Sequence, residues 1–328
     1  MIFDRILRRR AAARGSSGST DGLRRGCTVG LSGSQSWDQG IDDVFLSQLR
    51  QVAFVSQRKL TDGRTGEHSS HRRSNALEFA DYRSYTPGDD LRRVDWNAYL
   101  RLDHLFVKLA DAPERLDLHL LLDISGSMAW GHPDKFGYAR RLAVGLAYVA
   151  LAHMDATNLH ALRGAHCIRL SREESPAAVG KLMRAIGSVK PEGTTDLDAA
   201  LCQYVGMANH RGVAVLISDL LSPAGYQAGL ERLSQGTLRP VVIHVLSPEE
   251  MSPSLEGDLE LKDVETADTV KVSVDWGTLV RYRRWLQQWF REIEQFCSRR
   301  DITYVRVQTS YPVEQLLLDR LRRERVLR

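Results

Sequence analysis

The 328 residues carry 45 Lys and Arg against 41 Asp and Glu, a formal net charge of +4, and 43% of them are hydrophobic. These proportions are typical of a globular chain with a large buried core, and they exclude a disordered or fibrous protein. The small net charge favours no nucleic-acid partner, and no stretch approaches the roughly 20 apolar residues of a membrane span.

The four cysteines lie far apart in the sequence, without a C-x-x-C pair. We also find no export leader, because the arginines near the N-terminus are not followed by an apolar stretch. These features predict reduced thiols and a cytoplasmic protein.

The N-terminal part of the chain differs in composition from the rest. Residues 1–45 begin with an Arg-rich and Gly/Ser-rich stretch, and we expect a flexible tail there. Residues 46–116 contain PGDDLRRVDW, which predicts either a turn followed by a helix cap or a docking surface. The side chains that would build such a surface are Arg83, Arg92, Arg93, Asp95 and Trp96.

Strand and helix patterns alternate from residue 117 to the end of the chain. DLHLLLD (117–123) and GVAVLISDLL (212–221) are typical of strands buried on both faces, and residues 135–154 are typical of a central helix. This α/β order predicts a doubly wound, mostly parallel six-stranded sheet with helices on both faces. Residues 258–276 alternate apolar and polar side chains, which predicts an inserted antiparallel hairpin at an edge.

Two of the predicted strands end in aspartate, at Asp123 and Asp219. Ser125 and Ser127 follow the first strand closely, and Thr195 precedes a predicted helix. Ligands of open α/β sheets bind beyond the carboxyl ends of the strands, so these oxygens are expected to converge there. Such hard oxygen ligands suit Mg²⁺ (or Mn²⁺), with one position left for the Glu or Asp carboxylate of a partner protein.

The order Asp123-x-Ser125-x-Ser127, Thr195, Asp219 resembles the metal-ion-dependent adhesion site of von Willebrand factor A domains. EFADYRSYTPGDDLRRVDWNAYLRLDHLFVK (78–108) resembles the segment that identifies the bacterial domain of unknown function 58 family. The resemblance implies a von Willebrand factor A-like, Rossmann-type domain at 117–328, preceded by a family-specific segment at 46–116. It also implies an adaptor or co-chaperone role beside a MoxR-type AAA+ ATPase.

Besides Ser125 and Ser127, the predicted metal site has a third hydroxyl ligand, which is either Thr194 or Thr195. The resemblance favours Thr195, because GTTDL then aligns with the usual Gly-Gly-Thr-Asp-Leu and Thr194 stands for the second glycine.

The sequence lacks residues that the enzymatic alternatives would need. An aspartate-nucleophile phosphatase needs a second Asp two residues after Asp123, where Ser125 stands. A serine hydrolase elbow is absent from the sequence, as is a phosphate-binding loop, and His244 is the one suitably placed late histidine. We therefore expect no enzyme, with a metal-dependent hydrolase at the same strand ends as the alternative.

Overall fold

A computed structural model provides the structure of the chain. It describes residues 9–11, 49, 52–54, 82–87, 91, 94–108, 116–207, 211–255, 257–263 and 269–328. The chain divides into a smaller unit, residues 57–115, and a larger unit, residues 1–56 with 116–328.

Strands and helices alternate through most of the larger unit. The elements of both units are numbered together here, in chain order. The strands are β1 (Arg9–Ala11), β2 (Tyr82–Ser84), β3 (Phe106–Lys108), β4 (Asp117–Asp123), β5 (Ala156–Arg163), β6 (His166–Glu173), β7 (Gly212–Ser218), β8 (Leu238–Leu246), β9 (Gly257–Asp263), β10 (Thr269–Val274) and β11 (Thr303–Gln308). The helices are α1 (Trp96–Leu102), α2 (Lys135–Ala152), α3 (Val179–Gly187), α4 (Leu197–Gly206), α5 (Gln227–Ser234), α6 (Pro248–Met251), α7 (Trp276–Ser298), α8 (Val313–Gln315) and α9 (Leu321–Arg323). Short 3-10 turns cover Gly126–Ala129 and Pro176–Ala178, and a π turn covers Leu316–Arg320.

The predicted six-stranded sheet is confirmed. Its strand order is β11-β8-β7-β4-β5-β6, and all neighbours are parallel except β5 and β6. β5 and β6 are antiparallel because the turn at Gly164, with a φ of 55°, returns the chain directly beside β5. The other connections pass through helices, as parallel pairing requires.

Apolar side chains of the central strands pack against helices on both faces of the sheet. Leu118, Leu120 and Leu122 of β4 belong to a core with α2, α3 and the C-terminal helical turns. Leu121 points the other way, into a core with α4, α5 and the end of α7. This alternation explains why the strand is apolar at nearly every position.

The predicted hairpin is present as β9 and β10, but its predicted position at an edge is wrong. It forms a separate three-stranded antiparallel sheet with β1, which lies within the part of the chain expected to be a tail. Both edges of the six-stranded sheet are formed by other strands, β6 and β11.

Residues just before the smaller unit contribute to the core of the larger one. Leu49 is buried there, and Phe54 forms an antiparallel bridge with Leu327. Ala53 and Arg328 exchange two backbone hydrogen bonds, of 2.8 and 3.2 Å. These residues therefore pack with the C-terminus, although the sequence groups them with the 46–116 segment.

The smaller unit contains the antiparallel pair β2 and β3 together with α1. None of the residues of α1 is buried.

Among the residues that the structure describes, no helix combines the length and apolarity needed to cross a bilayer.

Candidate metal centre

The carboxyl ends of β4 and β7 meet at the centre of the sheet. β4 pairs with β5 on one side and with β7 on the other, so the chain changes direction across the sheet at this point. Ligands of doubly wound sheets bind at such a switch point. The five polar residues predicted for this site, each between 1% and 5% exposed, are here called the rim: Asp123, Ser125, Ser127, Thr195 and Asp219.

The carboxylate of Asp123 is held by two hydrogen bonds. The Ser125 amide donates to Oδ1 at 2.9 Å, and the Ser218 hydroxyl donates to Oδ2 at 2.6 Å. Burial, together with the nearby negative charge of Asp219, raises the pKa of Asp123 from 3.8 to about 6, although the hydrogen bonds act to lower it. The folded protein therefore favours the protonated form of Asp123 more than water does.

The hydroxyls of Ser125 and Ser127 lie 2.8 Å apart. Ser125 occupies the N-cap position of the 3-10 turn Gly126–Ala129, but its side chain makes no capping hydrogen bond. The Ser127 side chain also hydrogen-bonds to Asp219. The Ser125 side chain hydrogen-bonds to Asp123, so each of the two serines contacts one of the carboxylates.

Backbone contacts bring the Thr195 loop to the residue that follows Asp123. The Thr195 hydroxyl is 3.5 Å from the Leu162 carbonyl oxygen, which also accepts the Ile124 amide at 3.2 Å. The Gly126 amide donates to the Gly193 carbonyl at 2.7 Å. Thr195 is buried whereas Thr194 is exposed, so Thr195 remains the better candidate for a ligand.

Asp219 is paired with a buried lysine that sequence reasoning missed. Nζ of Lys135 lies 2.6 Å from Oδ2 of Asp219 and 2.6 Å from Oε1 of Glu250. Burial acts to raise the pKa of Asp219, but the Lys135 ammonium and its hydrogen bond more than offset this, so the pKa lies below its usual value of 3.8. Of the two rim carboxylates, Asp219 is the one that ionises first.

His244 is not available as a base at the rim. The ring is fully buried, and its two nitrogens lie 3.0 Å from the Asp219 carbonyl oxygen and 2.7 Å from the Tyr304 hydroxyl. A carbonyl only accepts, so Nε2 donates and Nδ1 accepts from Tyr304. Burial lowers the pKa of His244 to about 3, which keeps the ring neutral. This geometry does not support His244 as the base of a serine hydrolase.

Hydroxyl and carboxylate oxygens are the ligands that a small hard cation prefers. The Ser125 and Ser127 hydroxyls are hydrogen-bonded to each other at 2.8 Å, a separation that two ligands on adjacent corners of an octahedron with bonds of ~2.0–2.1 Å would also have. Within the described residues, no group of three or more His, Cys, Asp and Glu side chains is arranged as a metal cluster. Any ion at the rim would therefore depend on hydroxyl ligands.

The structure describes only part of the predicted docking surface. Arg92 and Arg93 lie outside the described residues, and the structure does not describe the Arg83 side chain. Asp95 caps α1, because its Oδ1 accepts the amides of Asn97 and Ala98 at 3.0 and 3.2 Å. Trp96 is 55% exposed and makes an edge contact with Tyr99.

We expect the Asp95→Ala substitution to loosen the start of α1, because the cap is worth about 1 kcal/mol, or about a fivefold change in local opening. Hydrogen exchange of the full chain should show faster exchange at Asn97 and Ala98. Asp95→Asn, which preserves a capping side chain, should leave exchange nearly unchanged. Equal exchange in wild type and Asp95→Ala would contradict the capping role.

A protein-family model described as "Protein of unknown function DUF58" matches residues 81–290. Among similar proteins is the uncharacterized protein Rv1480 of Mycobacterium tuberculosis, which is 27% identical over 241 residues, 72% of this chain and 76% of that protein. The uncharacterized protein Mb1516 of Mycobacterium bovis shows the same identity and coverage.

Two solved structures are similar to this chain. BatB from Bacteroides thetaiotaomicron is 14% identical, with a TM-score of 0.42 over 64% of this chain and 98% of that one. The SpRpn10 VWA domain is 12% identical, with a TM-score of 0.36 over 63% and 95% of the two chains.

Proposed function

The chain belongs to the DUF58 family, and from that premise we propose that it is a divalent-metal-dependent protein-interaction module. The observation that carries the proposal is the pair of buried serine hydroxyls 2.8 Å apart beside two buried carboxylates at the switch point of the sheet. Groups of this kind at this position suit the binding of a cation, because hydroxyl and carboxylate oxygens are the ligands that Mg²⁺ prefers.

The rim residues divide into two kinds of ligand. The hydroxyls of Ser125, Ser127 and Thr195 would contact Mg²⁺ (or Mn²⁺) directly, and Asp123 and Asp219 would hold it directly or through water. When bound, the ion would supply positive charge that attracts a further carboxylate. Because neutral hydroxyls only partly neutralise the ion, a Glu or Asp side chain of a partner protein is the matching group.

We propose a MoxR-type AAA+ ATPase as the partner, as the family resemblance implies. The sequence has no phosphate-binding loop of the G-x-x-x-x-G-K-[ST] form. In this proposal the ATPase therefore supplies nucleotide hydrolysis, and the rim supplies metal-dependent attachment in the assembly of other complexes.

Thermal unfolding tests the metal dependence. Mg²⁺ or Mn²⁺ at tenfold excess over its dissociation constant should raise the free energy of unfolding by about 1.4 kcal/mol, because the ion binds only the folded rim. This corresponds to a rise of a few degrees in Tm, which EDTA should reverse.

The matched controls are serine-to-alanine substitutions. The double variant Ser125→Ala/Ser127→Ala should lose the Tm shift, whereas Ser175→Ala should keep it, since Ser175 is exposed and makes no capping hydrogen bond. A shift of the same size in the double variant would refute the metal assignment.

The partner is tested by size-exclusion chromatography of the purified chain with a MoxR-type ATPase from the same genome. Co-elution in Mg²⁺ that disappears in EDTA supports the proposal. A complex that forms equally well in EDTA, or no complex in Mg²⁺, argues against it.

A further inference from the structure

The ammonium of Lys135 is fully buried between two carboxylates from different parts of the chain. Asp219 follows β7 and Glu250 lies in α6, and each is 2.6 Å from Nζ. The Lys135 side chain is 0% exposed, and those of Asp219 and Glu250 are 1% and 3% exposed. Lysine is almost never buried so completely unless it is paired, and here the pairing is with two partners.

The fold holds Glu250 in place independently of Lys135. Ser247 and Glu250 form a capping box in which Oε2 of Glu250 accepts the Ser247 amide at 2.8 Å. Tyr282 of α7 donates its hydroxyl to the Glu250 carbonyl oxygen at 2.6 Å. Oε1 of Glu250 is therefore the oxygen left for Lys135, and its position is set by α6 and α7.

A glycine allows the start of α2 to approach α6. Gly131 has a φ of 97°, and a Cβ atom added there would lie 2.5 Å from Cβ of Ser247. The loop that precedes Lys135 thus packs directly against the residue that begins α6. This close approach lets the Lys135 side chain reach both Asp219 and Glu250.

The formal charges of the buried groups around the rim do not cancel. Counted in their ionised forms, Asp123, Asp219 and Glu250 carry three negative charges and Lys135 carries one positive charge, a formal sum of −2. A divalent ion would neutralise this cluster. Without Lys135 the cluster would carry −3, and without Glu250 it would carry −1.

We propose that Lys135 lowers the affinity of the rim for divalent cations, by neutralising one of the three buried carboxylates. This inference rests on the proposed function, because it concerns the same site. In this proposal Lys135 acts through its positive charge and is not a ligand of the ion.

The test is calorimetric titration of Mn²⁺ into the metal-free full chain and four variants. Affinity should follow the net charge of the cluster: Lys135→Met binds more tightly than wild type by about tenfold or more, and Glu250→Gln binds more weakly by a similar factor. The double variant Lys135→Met/Glu250→Gln restores −2 and should return toward wild-type affinity. Lys181→Met removes an exposed lysine of α3 and should change nothing.

A merely structural role of Lys135 gives a different order. Both single substitutions would then weaken Mn²⁺ binding, and weaker binding by a folded Lys135→Met would overturn the inference. If Lys135→Met does not fold, the double variant remains informative, because removal of Lys135 should make it bind Mn²⁺ more tightly than Glu250→Gln alone.

The failures of the two proposals are distinguishable. Binding in Lys135→Met but not in wild type would support the role of Lys135 and refute metal dependence of the natural chain. Binding in wild type with no dependence on cluster charge would leave the proposed function standing and overturn the role of Lys135. The absence of binding in all five proteins would overturn both.

Discussion

Replacing Lys135 with methionine should lower the free energy of unfolding of the metal-free protein by about 3–5 kcal/mol, because it leaves Asp219 and Glu250 buried without their cation. Methionine has a similar length, so little of this loss comes from packing. Urea unfolding in EDTA, followed by circular dichroism, measures the change.

Two variants separate the loss of charge pairing from a general effect of substitution. Lys181→Met should stay within about 0.5 kcal/mol of wild type, since its side chain is exposed. Adding Glu250→Gln to Lys135→Met should recover part of the loss, because one of the two unpaired carboxylates is then neutral. A Lys135→Met protein as stable as wild type would mean that the pairing contributes nothing.

Asp123→Asn should have the opposite effect on stability and abolish the response to metal. Asparagine keeps the shape of the side chain, and its Oδ1 can still accept the Ser125 amide. Its Nδ2 would donate to the Ser218 hydroxyl, which donates to Asp123 in the wild-type protein. The substitution removes a buried charge beside Asp219, so the metal-free protein should gain about 1–3 kcal/mol at pH 7.5.

The pH dependence of this gain follows from the pKa of Asp123. That pKa is about 6 in the folded protein against 3.8 ordinarily, so the folded state holds the proton more tightly. Ionisation of Asp123 therefore costs stability as the pH rises from 3.8 to about 6. The advantage of Asp123→Asn should be complete above pH 6 and should vanish as the pH falls toward 3.8.

Denaturant titrations of both proteins at several pH values, in EDTA, measure this difference. Thermal unfolding with added Mn²⁺ should show no Tm shift in Asp123→Asn. If Asp123→Asn is less stable than wild type at pH 7.5 and still responds to Mn²⁺, Asp123 is a structural residue and not part of a metal site.

The order of elements in the larger unit could be predicted because apolar runs of strand length alternate with helical patterns. That order, combined with the handedness of βαβ connections, is enough to bring the ends of β4 and β7 together. Asp123 and Asp219 could therefore be placed at one site although they lie far apart in the sequence. The hairpin was recognised from its alternation, but nothing in that alternation indicates which sheet it joins.

Lys135 and Glu250 were missed for a physical reason. In the sequence Lys135 is the first residue of an otherwise apolar helix, which is equally typical of a solvated end. The Ser247-x-x-Glu250 spacing signals a capping box, which accounts for one oxygen of Glu250 but not for the other. Their pairing depends on the approach of the Gly131 loop to Ser247, which only tertiary structure defines.

Anomalous diffraction from a crystal of the full chain grown in Mn²⁺ locates the ion itself. We predict one anomalous peak about 2.1 Å from the hydroxyl oxygens of Ser125 and Ser127, with Lys135 still bonded to Asp219. A rim without a peak at saturating Mn²⁺, or a peak bound only elsewhere on the chain, would contradict the assignment of a metal-dependent interaction site.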